Sequence, residues 1–181
     1  MFLSGQRVYL RAFEERDIPR WQQWFNDSEV TAEMEKGFYP NTVESQKQFW
    51  ENMYNDRSNL QLAIVSVEDD KVVGSIGLHQ ISFIHGTADI SILIGEKAYW
   101  RQGLAKEAMG LIIEHAFNKL NLHKLTGGMY SSNEGSKRLF EAMGFRKEGE
   151  LREQVKVRGE YISVLKYGLT AYEWMSRRGG R

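Results

Sequence analysis

The chain has 181 residues, of which 41% are hydrophobic and 12% aromatic, enough for one domain with a core that needs no metal or disulfide staple. It contains no cysteine, which excludes disulfides, thiolate nucleophiles and thiolate metal sites. Lys plus Arg equals Asp plus Glu at 24 each, so no basic excess points to nucleic acid or anionic lipid.

The opening MFLSGQRVYLR reaches Arg7 and Arg11 too soon for the apolar core of a signal peptide. No apolar run is long enough to span a bilayer, and a cytoplasmic location is the expectation. RVYLRAF alternates as a first strand, and Asp17 is placed to cap a helix through IPRWQQWFND, with Pro19 tolerated in its first turn. A second helix, VESQKQFWENMYND, follows Asn41 or Thr42 and sets Phe49 and Met53 on one face. LQLAIVSV and KVVGSIGLHQIS flank EDD as a hairpin, and the isoleucine-rich TADISILIG reads as a further, central strand.

Met109, Ile112, Ile113, Ala116, Phe117 and Leu120 then recur as the apolar stripe of a helix packed on a sheet. HKLTGGMYSS returns as a strand, NEGSKRLFEAMG is a shorter helix, and FRKEGELREQVKV and EYISVLKYGL form a hairpin over RG. TAYEWMSRR is a last short helix, and residues from about 176 to 181 are expected to form a flexible tail. Nothing repeats and no linker divides the chain, so residues 1–181 read as one α/β domain with a sheet covered on both faces.

Acids crowd the stretch from Asp27 to Arg57, where Glu29, Glu33, Glu35, Glu44, Glu51 and Asp56 meet only Lys36, Lys47 and Arg57. A solvated helical face accounts for this pattern; an attractive rim for a cationic substrate is the sharper account. The tryptophans Trp21, Trp24 and Trp50 gather near it. They read first as core filling, and second as aromatic walls beside an acceptor amine, with Trp24, Glu33 and Glu35 as substrate-binding candidates.

The segment YWRQGLAKEA, residues 99–108, begins the long helix with no side-chain cap and a glycine in its opening turn. A helix N-terminus presents free backbone N–H groups at the positive end of the helix dipole, which suits an anion. Gly103 and the small Ala105 would let a phosphate come close to the backbone. A glycine kept for close helix–sheet packing is the plainer account. The segment is not a P-loop, because no Lys-Ser/Thr follows the glycine, and it lacks the G-x-G-x-x-G spacing of a dinucleotide fingerprint.

Taken with NEGSKRLFEAMGF downstream, the segment resembles the GNAT superfamily of N-acetyltransferases. The branch holding ribosomal-protein, spermidine and amino-sugar acetyltransferases is the most similar, and WFNDSEV resembles it too. The resemblance runs from RVYLRAFEERD to YISVLKYGL and is most specific over residues 88–145. It implies a mixed, mostly antiparallel central sheet with splayed central strands and helices on both faces. It also implies acetyl-CoA as co-substrate, no metal, and a small-molecule or peptide amine as acceptor, with no nucleic-acid or membrane partner; a homo-oligomer is compatible with it. The backbone amides of Arg101, Gln102, Gly103, Leu104 and Ala105 would hold the pyrophosphate. The backbone of Leu93 and Ile94 would pair with the pantetheine, Asn133 would contact its arm, and Ser136 is the small residue opening the next helix. The family position that reads Arg or Gln is Trp100 here.

Acetyl transfer to an amine needs a neutral nitrogen, since an alkylammonium of pKa about 10 has no lone pair to attack with. It also needs a donor to the carbonyl oxygen, which the resemblance places on the backbone N–H near Leu93 or Ile94. Asp89 stands where the family often has its base, although an aspartate at a strand edge is commonly structural. Many relatives carry a tyrosine as acid where this chain has Phe140, whose ring could pack on the cofactor but cannot donate a proton. Tyr130, Ser131 and Ser132 are nearby alternatives, of which Ser131 is preferred for sharing a strand face with Asn133. A thiol of pKa about 8.5 can also leave unassisted. His79 is a second base facing the acceptor, or else a packed histidine. His85, His115 and His123 share no ligand spacing with it, so no metal site is expected. The reading is an N-acetyltransferase acting on a polyamine-like amine or a protein N-terminus. Alternatives are an amino-sugar or nucleotide-sugar acetyltransferase, and a non-catalytic acyl-CoA sensor.

Overall fold

The computed structural model describes residues 1–178. Its strands are β1 (Leu3–Ser4), β2 (Val8–Ala12), β3 (Leu60–Ser66), β4 (Val72–Ser82), β5 (Thr87–Ile94), β6 (Lys124–Tyr130), β7 (Arg146–Val157) and β8 (Glu160–Thr170). The helices are α1 (Ile18–Asn26), α2 (Val43–Tyr54), α3 (Leu104–Asn118), α4 (Glu134–Met143) and α5 (Ala171–Arg178). The strands form one sheet in the order β1-β2-β3-β4-β5-β6-β8-β7. All neighbours are antiparallel except β5 and β6, which α3 joins as a parallel crossover.

Strand alternation sorts the apolar residues into two cores, one on each face of the sheet. Leu62, Ile64, Ile90 and Leu125 pack against the α3 stripe, of which Met109, Ile112, Ile113 and Ala116 are fully buried. Ala63 and Val65, their odd-numbered neighbours, pack under Trp21 and Trp24 of α1 and Met53 of α2. On β5 the even residues Ala88, Ile90, Ile92 and Ile94 serve the α3 core, whereas Leu93 joins the other. Asp89 and Ser91 share the face of Leu93.

Three local expectations change. Asp17 precedes α1 but makes no cap hydrogen bond to it. Its buried carboxylate instead takes both guanidinium nitrogens of Arg11, at 2.6 and 3.0 Å, and the Glu14 amide at 2.8 Å, because a paired charge is the better partner for a buried acid. Thr42, not Asn41, caps α2 by accepting from the Ser45 amide. The short β1 adds an edge strand, and α5 carries helix through residues 176–178; the rest of the expected tail, 179–181, lies outside the described residues.

Trp24 belongs to the core, at 3% exposure. Its indole covers Gly95 at the end of β5, where a Cβ would fall on the ring, and its Nε1–H donates to Glu96 at 2.6 Å. Arg20 holds the same carboxylate at 2.7 Å. Trp24→Ala should cost about 3–5 kcal/mol of stability, read as a lower urea midpoint at unchanged slope; a variant as stable as the parent would contradict the core assignment.

Candidate active site

The site begins where the parallel pair β5–β6 stops. The two strands pair only through Thr87–Lys124, Ala88–Leu125 and Asp89–Thr126 and then part, while each keeps its antiparallel neighbour to the end. The Gly95 amide donates to Val73 of β4 at 2.9 Å. By alternation the backbone groups of Ser91 and Leu93 also face β4, whereas those of Ile90, Ile92 and Ile94 face the gap. One of them is already used, since the Trp100 indole donates to the Ile94 carbonyl at 2.8 Å. The expectation for Leu93 is therefore corrected by one residue: its backbone belongs to the β4 ladder, and Ile92 and Ile94 line the fork.

Above the fork lies the start of α3. Arg101 and Gly103 both have left-handed backbones, φ +60° and +79°, and Gly103 is an N-cap with no side chain to satisfy the first-turn amides. A turn of this kind leaves first-turn backbone N–H groups without a side-chain acceptor, an arrangement that suits an anion. Arg7 adds a cation, with Nη1 3.4 Å from where a Cβ on Gly103 would sit. Glu107, in the first turn of α3, holds Arg7 there by accepting from the Gln6 and Arg7 amides at 2.5 and 2.9 Å. Gly5 leaves room for that carboxylate, where a Cβ would strike it. Leu104 is buried in the core, Ala105 is half-buried, and Gln102 is exposed, its amide bonded to the Ala98 carbonyl at 2.7 Å.

On the opposite face the fork opens into a cleft of about 350 Å³, the size of a small-ligand site. Its floor holds Asp89, Ser91 and His79, and β6 contributes Gly128, Met129 and Tyr130. Glu33 and Glu35 reach it from the segment between α1 and α2, and Lys166 from β8. Thr126 Oγ1 donates to Asp89 at 2.5 Å, fixing that carboxylate at the last strand pair. Burial lowers the pKa of His79 below its usual 6.5 and so favours the neutral ring, against the opposing pull of Asp89. Burial, then the charges of Glu35 and Glu33, raise the Tyr130 pKa and keep its hydroxyl protonated.

A family model described as an acetyltransferase (GNAT) domain matches residues 7–146. The uncharacterized N-acetyltransferase p20 of Bacillus licheniformis is 32% identical over 95% of this chain and 97% of its own length. The chain belongs to the GNAT acetyltransferase family. It is an acetyl-CoA-dependent N-acetyltransferase. The spermidine N(1)-acetyltransferase of Escherichia coli (strain K12) is 25% identical over 96% of this chain and 91% of its own length. The crystal structure of spermidine N-acetyltransferase from Vibrio cholerae in complex with CoA and spermine shares the fold, with TM-score 0.86 at 21% identity. That alignment covers 94% of this chain and 99% of that one.

Within this GNAT enzyme the expected residues divide. Asp89, His79, Glu33 and Glu35 come together in the cleft, whereas Trp24 is in the core below α1 and does not reach it. Ser131 is not among the cleft-lining residues. The strand ends at Tyr130, and Asn133 already caps α4 by accepting from the Ser136 amide at 3.0 Å, so Ser131 and Asn133 share no strand face. Phe140 is buried in the core and leans its ring edge on Gly127 of β6, whose Cβ position lies 3.4 Å from the Ile90 carbonyl. It therefore closes the fork from the α3 side. No local signal marks Arg7, Ser91 or Asn59: only the fold brings Arg7 to the turn, Ser91 to the cleft beside Tyr130, and Asn59 to His79. Among the described residues no cluster of His, Asp and Glu could hold a metal ion, and no helix is long and apolar enough to cross a membrane.

Gly103→Val sets a β-branched residue on a left-handed backbone at the anion turn. Calorimetry should show acetyl-CoA binding weakened tenfold or more, about 1.4 kcal/mol. Arg7→Ala should weaken it less, by an amount that shrinks as salt rises. Parent-like affinity in a folded Gly103→Val protein would return the glycine to a packing role.

Proposed function

We propose that the protein transfers the acetyl group of acetyl-CoA to a primary amine of a small, cationic, polyamine-like molecule, with residues 1–181 acting as one domain. The observation that carries this reading is the fork between β5 and β6, with an anion-receptive turn on one side and a carboxylate-lined cleft on the other. The amides of 101–105, with Arg7, would take the pyrophosphate. The pantetheine would run along Ile92 and Ile94 past Asn133, whose side-chain N–H₂ stays available while its oxygen caps α4. An N–H of the same β5 edge would receive the thioester oxygen as negative charge builds on it.

Asp89, Glu33 and Glu35 favour a cation, against Lys166 as the one lysine or arginine among the cleft-lining residues. The spermidine N-acetyltransferases among the relatives support the same acceptor class. The Tyr130 hydroxyl stands in the cleft where Phe140 offers none, and serves better than Ser131 as the donor to the departing sulfur.

The test is a panel of polyamines, amino sugars and N-terminal peptides, with acetyl-CoA and detection of free thiol. Polyamine turnover is expected to lead. Faster turnover of an amino sugar would move the acceptor class, and binding without any turnover would leave an acyl-CoA sensor. On the preferred amine, Asp89→Asn should raise the acceptor KM about tenfold or more and leave acetyl-CoA affinity unchanged. Tyr130→Phe should lower kcat with little effect on either KM; an unchanged kcat would mean that the thiolate leaves unassisted.

A further inference from the structure

Four polar groups cross three segments of the chain to the floor of the cleft. Asp56 sits in the turn after α2, with its carboxylate held ionised by the hydroxyl and amide of Ser58. It accepts from Asn59 Nδ2 at 2.7 Å. Asn59 Oδ1 lies 3.2 Å from His79 Nδ1 on β4, and His79 Nε2 lies 2.7 Å from Ser91 Oγ on β5. The direction of every bond follows from the first. A carboxylate only accepts, so the Asn59 amide must turn its N–H₂ to Asp56 and its oxygen to His79. His79 Nδ1 then carries the proton, Nε2 carries the lone pair, and Ser91 donates its hydroxyl hydrogen to it. The turn is itself anchored to β4, since the Ile81 amide donates to the Ser58 carbonyl at 2.8 Å.

We propose that Ser91 and His79 form the proton relay that serves the acceptor nitrogen, with Asn59 and Asp56 as positioning residues. This rests on the acetyl-transfer reading above. Ser91 is exposed on the cleft floor, two residues past the last β5–β6 pair and beside the gap where the thioester would lie. Asp89 neighbours it on the same face and already accepts from Thr126, which suits it to hold the ammonium rather than to shuttle its proton.

The amine nitrogen attacks the thioester carbon, and the C–N bond forms as the carbonyl π pair moves onto oxygen. The N–H becomes strongly acidic at that moment, so an imidazole weaker as a base than the free amine is sufficient. Ser91 Oγ takes that proton while its own hydrogen passes to His79 Nε2. The oxygen pair then returns, the C–S bond breaks, and the sulfur leaves with the bonding electrons. Starting from the ammonium, the nitrogen loses two protons in all. One reaches the sulfur to give the CoA thiol, and the other is released to solvent. The neutral state of His79 is what the relay requires. The charged groups that face it are Asp89 from β5, Glu33 and Glu35 from the α1–α2 segment, and Lys166 from β8, with Tyr130 the remaining titratable group, on β6. Because burial holds its pKa below 6.5, the acid limb of kcat/KM should fall below pH 6.5.

The experiment measures pH–rate profiles for the parent, Ser91→Ala and His79→Gln with the best amine of the panel, alongside acetyl-CoA affinity and the ¹⁵N imidazole shifts of the resting protein. Both variants should bind acetyl-CoA as the parent does, lose about 10²-fold in kcat, and no longer show the acid limb. The shifts should report the Nδ1–H tautomer. Asn59→Asp is the second variant: it keeps an acceptor for Nδ1–H, but it sets a carboxylate against Asp56 and should raise the pH of the limb. Parent-like kcat in Ser91→Ala, a limb that persists in His79→Gln, or an Nε2–H tautomer overturns the relay. A parent enzyme with no turnover on any amine overturns the acetyl-transfer reading and the relay together, and the parent measurement alone separates that failure from the others.

Discussion

Everything that distinguishes the two ends of this molecule follows from a parallel strand pair that cannot continue. β5 is committed to β4 along its length, and β6 to β8. Only three residue pairs join the two halves of the sheet. Gly127 comes directly after the last pair, and the Phe140 ring occupies the space that a side chain there would need. A glycine and an aromatic wedge thus keep the strands apart on one face, while the Asp89–Thr126 bond clamps them on the other. Backbone groups left without a strand partner are costly when buried. The Ile92 amide and carbonyl and the Ile94 amide therefore face the gap, where an amide-bearing chain could complete them, the Ile94 carbonyl being taken by Trp100.

The fork also separates charge. On the α3 side lie an uncapped helix terminus, Arg101 and Arg7; across the sheet lie Glu33, Glu35 and Asp89. A net charge of zero hides this division completely. Under the proposed function an anionic donor and a cationic acceptor would be drawn to opposite faces and meet only where the strands part, so neither would compete for the other's site. Glu107 illustrates how the arrangement is held. An acid at the start of α3 would oppose a phosphate if it were free, but its oxygen is tied to the Gln6 and Arg7 amides and thereby brings a guanidinium to the turn.

Periodicity made the helices and strands legible, because the α3 stripe and the isoleucines of β5 report burial that the fold then realises. The uncapped start of α3 was legible as well, since a glycine where a cap residue would stand is a local signal. What could not be read depends on pairing. Which neighbour each backbone group of β5 faces is set by the phase of its ladder with β4, so no local pattern says that Ile92 rather than Leu93 turns its backbone to the fork. A preference for Ser131 requires the strand to continue past Tyr130, where it stops, and sequence proximity of Trp24 to acids cannot distinguish the two sides of a helix. Asn59, His79 and Ser91 are separated by 20 and 12 residues, and nothing local marks them as partners. The one available hint was a half-apolar strand with a histidine on its polar phase.

The placement of polar groups around the fork agrees with the relative difficulty of the two proton transfers. A thiolate of pKa about 8.5 is a tolerable leaving group, whereas an alkylammonium of about 10 cannot react until its proton has gone. Chemical demand is therefore greater on the acceptor side. On that side the chain supplies a half-buried imidazole, a hydroxyl and an amide anchored to a carboxylate. On the other side the position where the family resemblance leads one to expect a tyrosine holds Phe140, which packs against Phe145 at 4.8 Å and Tyr167 at 6.2 Å. A hydroxyl there would need its own partner among apolar neighbours. The ring instead keeps the strands open, and the fork retains its shape without depending on the group that protonates the sulfur.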